Sequence, residues 1–398
     1  MKKIALVLPE AGPVPAVKGG AIEELLTILA DQNEIEQKAE FTIFCTANEQ
    51  AEAIAKKYKY SKIIYLPKTS LTDRLLNRMI RYCNRLFKSK TWIDIAYYRR
   101  VFRYLKKNRP DAVVAEGGLY HEFRRFAQEF GKENTYLHIH HHLLCEPYID
   151  HIYGNVIGIS HFATNEWMRT TSDKEVKPYT VYNCVNEEKF KKRISLEERK
   201  AVRNRFGFQE EDTVLLFCGR IIPVKGVREL LKAVIELDRP DIKLLVIGSA
   251  EFGGNTVTPY VQEVQQLIEK AKERVKFTGY IENSELYRYY QAADIQVIPS
   301  LWEEAAGLIA IEGMLSGLPL IITKSGGMIE YAPSDVALWV DREDIVSNLC
   351  QAINMLADNK AKRREMSMLS LERAKEFPKK KFYEDYIEVF EHEGTGKR

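Results

Sequence analysis

The feature that most restricts this chain is a series of short, unbroken apolar runs, each followed by a turn and a helix-length segment. KIALVL (residues 3–8), FTIFC (41–45), KIIYL (62–66), AVVA (112–115), TYLHIH (135–140) and VIGIS (156–160) form a first set. TVLLFCG (213–219), KLLVIG (243–248), VKFTG (275–279), IQVIP (295–299) and PLIIT (319–323) form a second. A strand with one wet face alternates apolar and polar residues, whereas a strand covered on both faces is apolar throughout. Runs of this kind separated by helices predict parallel sheets sandwiched by helices, an α/β chain.

Between the two sets lies NCVNEEKFKKRISLEERKAV, polar and charge-rich, which places a domain boundary near residue 187. The expected organisation is therefore two doubly wound, Rossmann-like domains, residues 1–187 and 188–377. At 398 residues the chain is long enough for two cores. Residues 378–393 carry Phe382, Tyr386, Val389 and Phe390 at helical spacing. This segment is expected to be a helix crossing back onto the first domain. Ligands of doubly wound sheets bind beyond the carboxyl ends of the strands, so the residues that follow the apolar runs are the ones to inspect. A cleft between the domains is the expected ligand site.

The balance of charge excludes one class of partner. A net charge of +3 is too even for a nucleic-acid binder. The opening MKKIALVLPEAGP resembles a signal peptide only superficially, because its apolar run from Ile4 to Leu8 is too short. No segment approaches the roughly 20 apolar residues needed to span a bilayer. Six cysteines are scattered without a CxxC pair. That pattern fits reduced thiols and a cytoplasmic address.

The strongest chemical signal begins at Ser300. A strand end is followed by Glu304, then Ala-Ala-Gly (Ala305–Gly307), then a helix containing Glu312. Gly307 allows backbone to approach a ligand, and the amides of Ala306, Gly307 and Leu308 at the helix start suit a phosphate. Two acids eight positions apart mean little alone: with 56 acidic residues in 398, about eight such pairs arise by chance. The surrounding order of strand, acid, small residues, glycine, helix and acid gives the pair its weight. A second element, at residues 215–234, ends a strand at Gly219, follows it with Arg220 and Lys225, and opens a helix at Gly226. Two cations beyond a strand end can neutralise a diphosphate leaving group; they can equally be surface charges.

Together these stretches resemble family 4 retaining glycosyltransferases of the GT-B fold. That family's paired glutamates stand here as Glu304 and Glu312, and its G-R-x-x-x-x-K-G element as Gly219, Arg220, Lys225 and Gly226. VYNCVNEEKF (181–190) and FTGYIENSELYRYYQAADIQVIPS (277–300) match further, so the resemblance covers essentially the whole second domain. E-A-A-G and N-C-V-N depart from its commoner patterns without removing a charged group. The resemblance implies transfer of a sugar, with retention, from a nucleotide-diphosphate sugar, UDP-linked by family weight. The acceptor it implies is a saccharide or lipid-linked saccharide in cell-surface polysaccharide synthesis. Arg220 and Lys225 would hold the diphosphate, Glu312 the ribose and Glu304 the sugar. No cofactor or metal is implied, and the chain lacks a D-x-D motif.

The first domain matches the family more loosely. Gly19 and Gly20, after the first strand, open a helix, and the resemblance places them beside the donor diphosphate. In LHIHHHLL (137–144), strand alternation sets His138, His140 and His142 on one face. Carboxylate or thiol ligands at matching spacing are not evident nearby, so no metal site is expected. The family keeps a histidine beside the transferred sugar. His140 is the best match, with His138 and His141 as alternatives. Ser160 and His161 follow the next strand as a family serine position or as a helix cap.

Residues 71–90 form an amphipathic basic helix in this reading. Leu71, Leu75, Leu76, Met79, Cys83, Leu86 and Phe87 fall on one side, with Arg74, Arg78, Arg81 and Arg85 on another. Such a helix suits the anionic inner face of a membrane or a lipid-pyrophosphate acceptor; it suits equally a core-packed helix with a wet basic face. Two other functions share the fold: a sugar-nucleotide epimerase, and a non-catalytic GT-B partner subunit. A nicotinamide-dependent oxidoreductase is a weaker reading still, since no G-x-G-x-x-G follows the first strand.

Overall fold

The apolar runs become strands covered on both faces. In β1 (Lys2–Val7) the residues from Ile4 onward are buried, and every residue of β4 (Ala112–Ala115) and β5 (Thr135–Ile139) is buried. These strands join β2 (Ala39–Thr46), β3 (Ser61–Leu66), β6 (Asn155–Gly158) and β7 (Lys177–Thr180) in one sheet of order β3-β2-β1-β4-β5-β6-β7. A second sheet contains β8 (Thr213–Cys218), β9 (Ile242–Ile247), β10 (Val275–Phe277), β11 (Ile295–Ile298), β12 (Leu320–Thr323) and β13 (Ala337–Val340). Its order is β10-β9-β8-β11-β12-β13. Every strand pair in both sheets is parallel.

This computed structural model describes residues 1–17, 20–87, 92–250 and 257–391. The chain divides into two units, Met1–Asn183 with Lys379–Arg398, and Cys184–Pro378. Each is a parallel-sheet, Rossmann-like α/β domain. The division falls at the start of the polar stretch, four residues before position 187, and Cys184 and Val185 are already buried. The polar stretch is not a free linker either, since Phe190 packs edge-on against Tyr290 at 5.6 Å.

Two strands escape the run-based reading. β7 reads KPYT and is half exposed; as the outermost strand it tolerates Pro178, whose missing N–H would disrupt a central ladder. β13, ALWV, is the other sheet's outer strand and only four residues long. The run at residues 135–140 also overstates its strand, which stops at Ile139.

The last helix, Lys379–Glu391, belongs to the first unit. Phe382, Tyr383, Tyr386, Ile387, Val389 and Phe390 are buried, Phe390 lies 4.9 Å from the Tyr136 ring, and the Tyr383 hydroxyl donates to Asn33 Oδ1 at 2.7 Å. Helix Leu71–Leu86 behaves in the opposite way. Its sole fully buried residue is Asn77. It is held by polar contacts: Arg100 pairs with Asp73 at 2.6 Å, Arg99 donates to Asn77 Oδ1 at 2.7 Å, and Asn84 donates to Asp94 at 2.7 Å. Leu71, Leu75, Met79, Leu86 and Phe87 face outward, 58–76% exposed. The helix is therefore not packed into the core by its leucines. Among the described residues no helix is long and apolar enough to cross a membrane.

Candidate active site

In each sheet the winding direction reverses once, between β1 and β4 and between β8 and β11. The loops leaving those strands part to opposite sides, which leaves a crevice at their carboxyl ends.

In the second unit β8 delivers Gly219 and Arg220, and a tight turn, Pro223–Lys225, leads to helix Val227–Leu237. β11 delivers Pro299, Ser300 and, through a loop, Glu304, before helix Leu308–Leu315. The two loops are fastened together. The Leu301 amide donates to the Val224 carbonyl at 2.8 Å. Gly226, at φ 70°, lies so close to Pro299 that a Cβ there would stand 1.9 Å from its carbonyl oxygen. Only glycine meets both demands.

That fastening brings Lys225 Nζ to 2.5 Å from Glu304 Oε1, the two side chains being 17% and 12% exposed. The Ser300 hydroxyl donates to the same carboxylate at 2.6 Å, and the Glu304 amide donates to Ser325 Oγ at 2.9 Å. The ammonium also lies 5.1 Å over the Trp302 ring. Lys225 and Glu304, read separately from the sequence, are thus one ion pair. Arg220 is half-buried just beyond β8, in the same loop. Gly307 caps the helix that begins at Leu308, Ala306 is half-buried before it, and first-turn amides have no acceptor within their own helix.

Glu312, one turn into that helix, accepts the Tyr290 hydroxyl at 2.7 Å. Burial, with Cys218 and Glu312 nearby, raises the Tyr290 phenol well above its usual range. Burial beside Glu312 likewise pushes the Cys218 thiol up to about 12, so it stays protonated and unreactive. Tyr290, Ser300 and Ser325 were not anticipated. Ser300 and Ser325 follow the ends of β11 and β12, a position that could have flagged them; Tyr290 gave no signal apart from its helix.

In the first unit the histidine run meets a carboxylate. Glu116, the residue after β4, is fully buried. Its Oε2 accepts from His138 Nδ1 at 2.9 Å and His140 Nε2 at 2.8 Å, and its Oε1 from the Tyr386 hydroxyl at 2.8 Å. The expectation of no carboxylate near the run is therefore corrected. β4 and β5 are neighbours, and pairing sets Glu116 beside histidines 22 and 24 residues later in the chain. Glu116, His138 and His140 each offer a ligand atom within 4.8 Å of the others, a set that can hold a metal ion. Glu116 itself was recognisable only as the first residue after an apolar run.

Burial works to raise the Glu116 carboxyl, but the adjacent His138 and the bonds from both histidines outweigh it and hold the carboxyl below its usual range. Burial, followed by the proximity of His138, lowers His140 to about 4. At neutral pH His140 is therefore uncharged, with the bond to Glu116 fixing the Nε2–H tautomer. His142 does not share this face. The strand has ended, and it turns to Glu166 at 3.1 Å. His141 stacks on Tyr120 with centroids 6.2 Å apart. Ser160 caps helix His161–Thr170, accepting from the Ala163 amide at 3.1 Å. Gly20, at φ 111°, begins helix Ala21–Glu36, while Gly19 lies outside the described residues.

Residues 198–370 match the family described as glycosyl transferases group 1. Spore coat protein SA of Bacillus subtilis (strain 168) is 25% identical over 412 residues, spanning 98% of this chain and 99% of its own. Over residues 198–370 this chain is therefore similar to group 1 glycosyltransferases, and its two domains have the GT-B fold. A D-inositol 3-phosphate glycosyltransferase of Corynebacterium glutamicum (strain R) is 38% identical over 144 residues, 35% of this chain and 34% of that protein. Among solved structures, Anabaena HepE in complex with UDP superposes with a TM-score of 0.74 at 17% identity, over 98% of this chain and 100% of that one. A glycosyltransferase from Rickettsia africae ESF-5 gives 0.75 at 16% identity, over 99% of each. These two likenesses establish the shared fold of the GT-B glycosyltransferase.

Proposed function

We propose that this glycosyltransferase moves a hexosyl or N-acetylhexosaminyl group from a UDP-sugar to a saccharide or lipid-linked saccharide acceptor, with retention, in cell-surface polysaccharide synthesis. The observation that carries the reading is the Lys225–Glu304 pair at the β8/β11 switch point, with Arg220 in the same loop and a helix start at Gly307. UDP in the solved Anabaena relative supports the choice of nucleotide.

In this reading the bond between the anomeric carbon and the diphosphate breaks, and negative charge gathers on the leaving oxygen. Arg220 and Lys225 stabilise that charge, aided by the amides of Ala306, Gly307 and Leu308. The diphosphate competes with Glu304 for Lys225, which frees the Glu304 carboxylate to accept from sugar hydroxyls. Glu312 accepts from the ribose diol. His140, neutral, hydrogen-bonds the sugar or acceptor. No side chain needs to form a covalent intermediate, because the acceptor hydroxyl attacks from the leaving-group side and passes its proton to the departing diphosphate oxygen. Fixed cations replace a metal in this scheme. The outward leucines and arginines of helix Leu71–Leu86 support work at an anionic membrane surface, at its inner face.

Thermal shift against UDP, GDP and dTDP and their sugars, with EDTA present, tests the donor site, since a ligand of the native state raises the melting temperature. A UDP-selective, EDTA-resistant shift is expected. If Arg220→Ala and Lys225→Ala both retain the wild-type transfer rate, the diphosphate assignment is wrong.

A further inference from the structure

At the other switch point, where β1 and β4 diverge, lies a cavity of about 670 Å³. Its floor is Pro9 and Glu10 after β1 and Gly118 and Leu119 after β4; its wall is the face of helix Leu71–Leu86 that carries Arg74, Arg78 and Arg81. The residues that end the two diverging strands thus meet three guanidinium groups. Among the described residues Arg74 and Arg78 have no ion-pair partner, and Arg81 reaches Asp94 only at 3.5 Å. Glu10 is the cavity's single carboxylate, and it is occupied by the Thr69 hydroxyl at 2.5 Å. Helical spacing explains the row: positions 74, 78 and 81 recur on one side of the helix.

The same helix exposes an apolar stripe alongside that row. Leu71 is 76% exposed, Leu75 69% and Leu86 63%, and beyond them the Phe87 and Trp92 rings pack edge-on at 6.4 Å. A soluble protein gains nothing by holding so many large apolar groups in water on an element anchored by Asp73, Asn77 and Asn84. The charge and the stripe call for one ligand with two chemistries. Guanidinium forks match phosphate oxygens, and a hydrocarbon chain covers leucine and aromatic surface.

We propose that this cavity seats the phosphate or diphosphate of an amphiphilic acceptor, with the acceptor's hydrocarbon chain lying along the exposed stripe. The inference deepens the glycosyl-transfer reading by giving the acceptor a chemical class and a place. Arg74, Arg78 and Arg81 fix the phosphate at the carboxyl end of the sheet, which holds the attached sugar at a set height above the surface that supplies the chain. His140, just past the end of the neighbouring strand β5, is then within the same rim of strand ends.

Calorimetric titration of the full chain with a C15 isoprenyl diphosphate, inorganic pyrophosphate and the C15 alcohol tests this without requiring turnover. The isoprenyl diphosphate is expected to bind at least tenfold more tightly than either fragment. Arg74→Gln with Arg78→Gln should weaken it at least tenfold, while leaving the UDP-induced thermal shift as in the parent. Leu75→Gln with Leu86→Gln should weaken the isoprenyl diphosphate but not pyrophosphate. Because UDP binding is read separately, loss of the donor reading and loss of this one are distinguishable. Unchanged affinity in the arginine variant overturns the proposal, as does pyrophosphate binding equal to that of the isoprenyl compound, which would mark a site for soluble anions. Binding to anionic vesicles that survives in the arginine variant, with no isoprenyl diphosphate affinity in the parent, would assign the helix to the bilayer surface alone and also overturn it.

Discussion

Replacing Tyr386 with phenylalanine removes one oxygen atom and leaves the ring in place. The lost bond runs 2.8 Å from the phenol to Oε1 of a carboxylate with no solvent contact. Hydrogen bonds to charged groups contribute about 1.5–3 kcal/mol, and no cavity is created because the ring contacts with Phe382 and Phe390 persist. Amide exchange in residues 379–391 should accelerate by about 10–150-fold, since each 1.4 kcal/mol is a factor of ten. Tyr383→Phe is the natural comparison. It loses a bond of 2.7 Å donated to the neutral Asn33 amide and a long one of 3.3 Å accepted from the Lys38 amide, both between neutral groups, so about 0.5–1.5 kcal/mol is expected. Peptide-level hydrogen exchange measured by mass spectrometry resolves both effects. A change below threefold in Tyr386→Phe, or equal changes in the two variants, would refute the view that an ionised Glu116 anchors the last helix.

Three further outcomes follow from the geometry. Gly226→Ala forces a left-handed backbone and a collision with the Pro299 carbonyl, so urea unfolding should show a loss of about 3 kcal/mol or more, together with loss of UDP binding. Stability should fall in mild acid. His140 drops from about 6.5 to about 4 on folding, so the unfolded chain takes up its proton first and stability declines as pH falls through that window. Glu116, held below its usual range, gives stability above that range that is lost at still lower pH, and His140→Gln should remove the upper part of the decline and, by loosening the hold on Glu116, lessen the lower part. Ser160→Ala removes a buried helix cap and should cost about 1 kcal/mol in chemical denaturation.

Most of the α/β architecture was legible because burial on both faces writes itself as unbroken apolar runs. The outer strands β7 and β13 were not: β7 reads KPYT, with no apolar run, and β13 is four residues long with Leu338 and Trp339 half-buried. Glu304, Lys225 and Gly226 were legible as residues beyond strand ends, but the Lys225–Glu304 pairing depends on a contact between residues 79 positions apart, which spacing does not encode. Glu116 escaped for a related reason. A lone acid after a four-residue run looks like any turn residue until parallel pairing sets it against His138 and His140. Helix Leu71–Leu86 shows the limit of periodicity. The pattern defined an apolar face correctly, yet the side buried was chosen by Asp73, Asn77 and Asn84 through specific polar partners.

The place of the last helix has a consequence for how the chain is made. Residues 184–378 form one uninterrupted unit, whereas the first unit is finished only by residues from 379 onward. At synthesis rates of about 5–20 residues per second, roughly 10–40 seconds pass between the emergence of Asn183 and of the helix that carries Tyr386. During that interval Asn33, Tyr136 and Glu116 await their final partners, while the later unit has all it needs to close. The domain that starts first is therefore completed last, and its exposed, half-built face is where a nascent chain of this protein is open to chaperones or to misassembly.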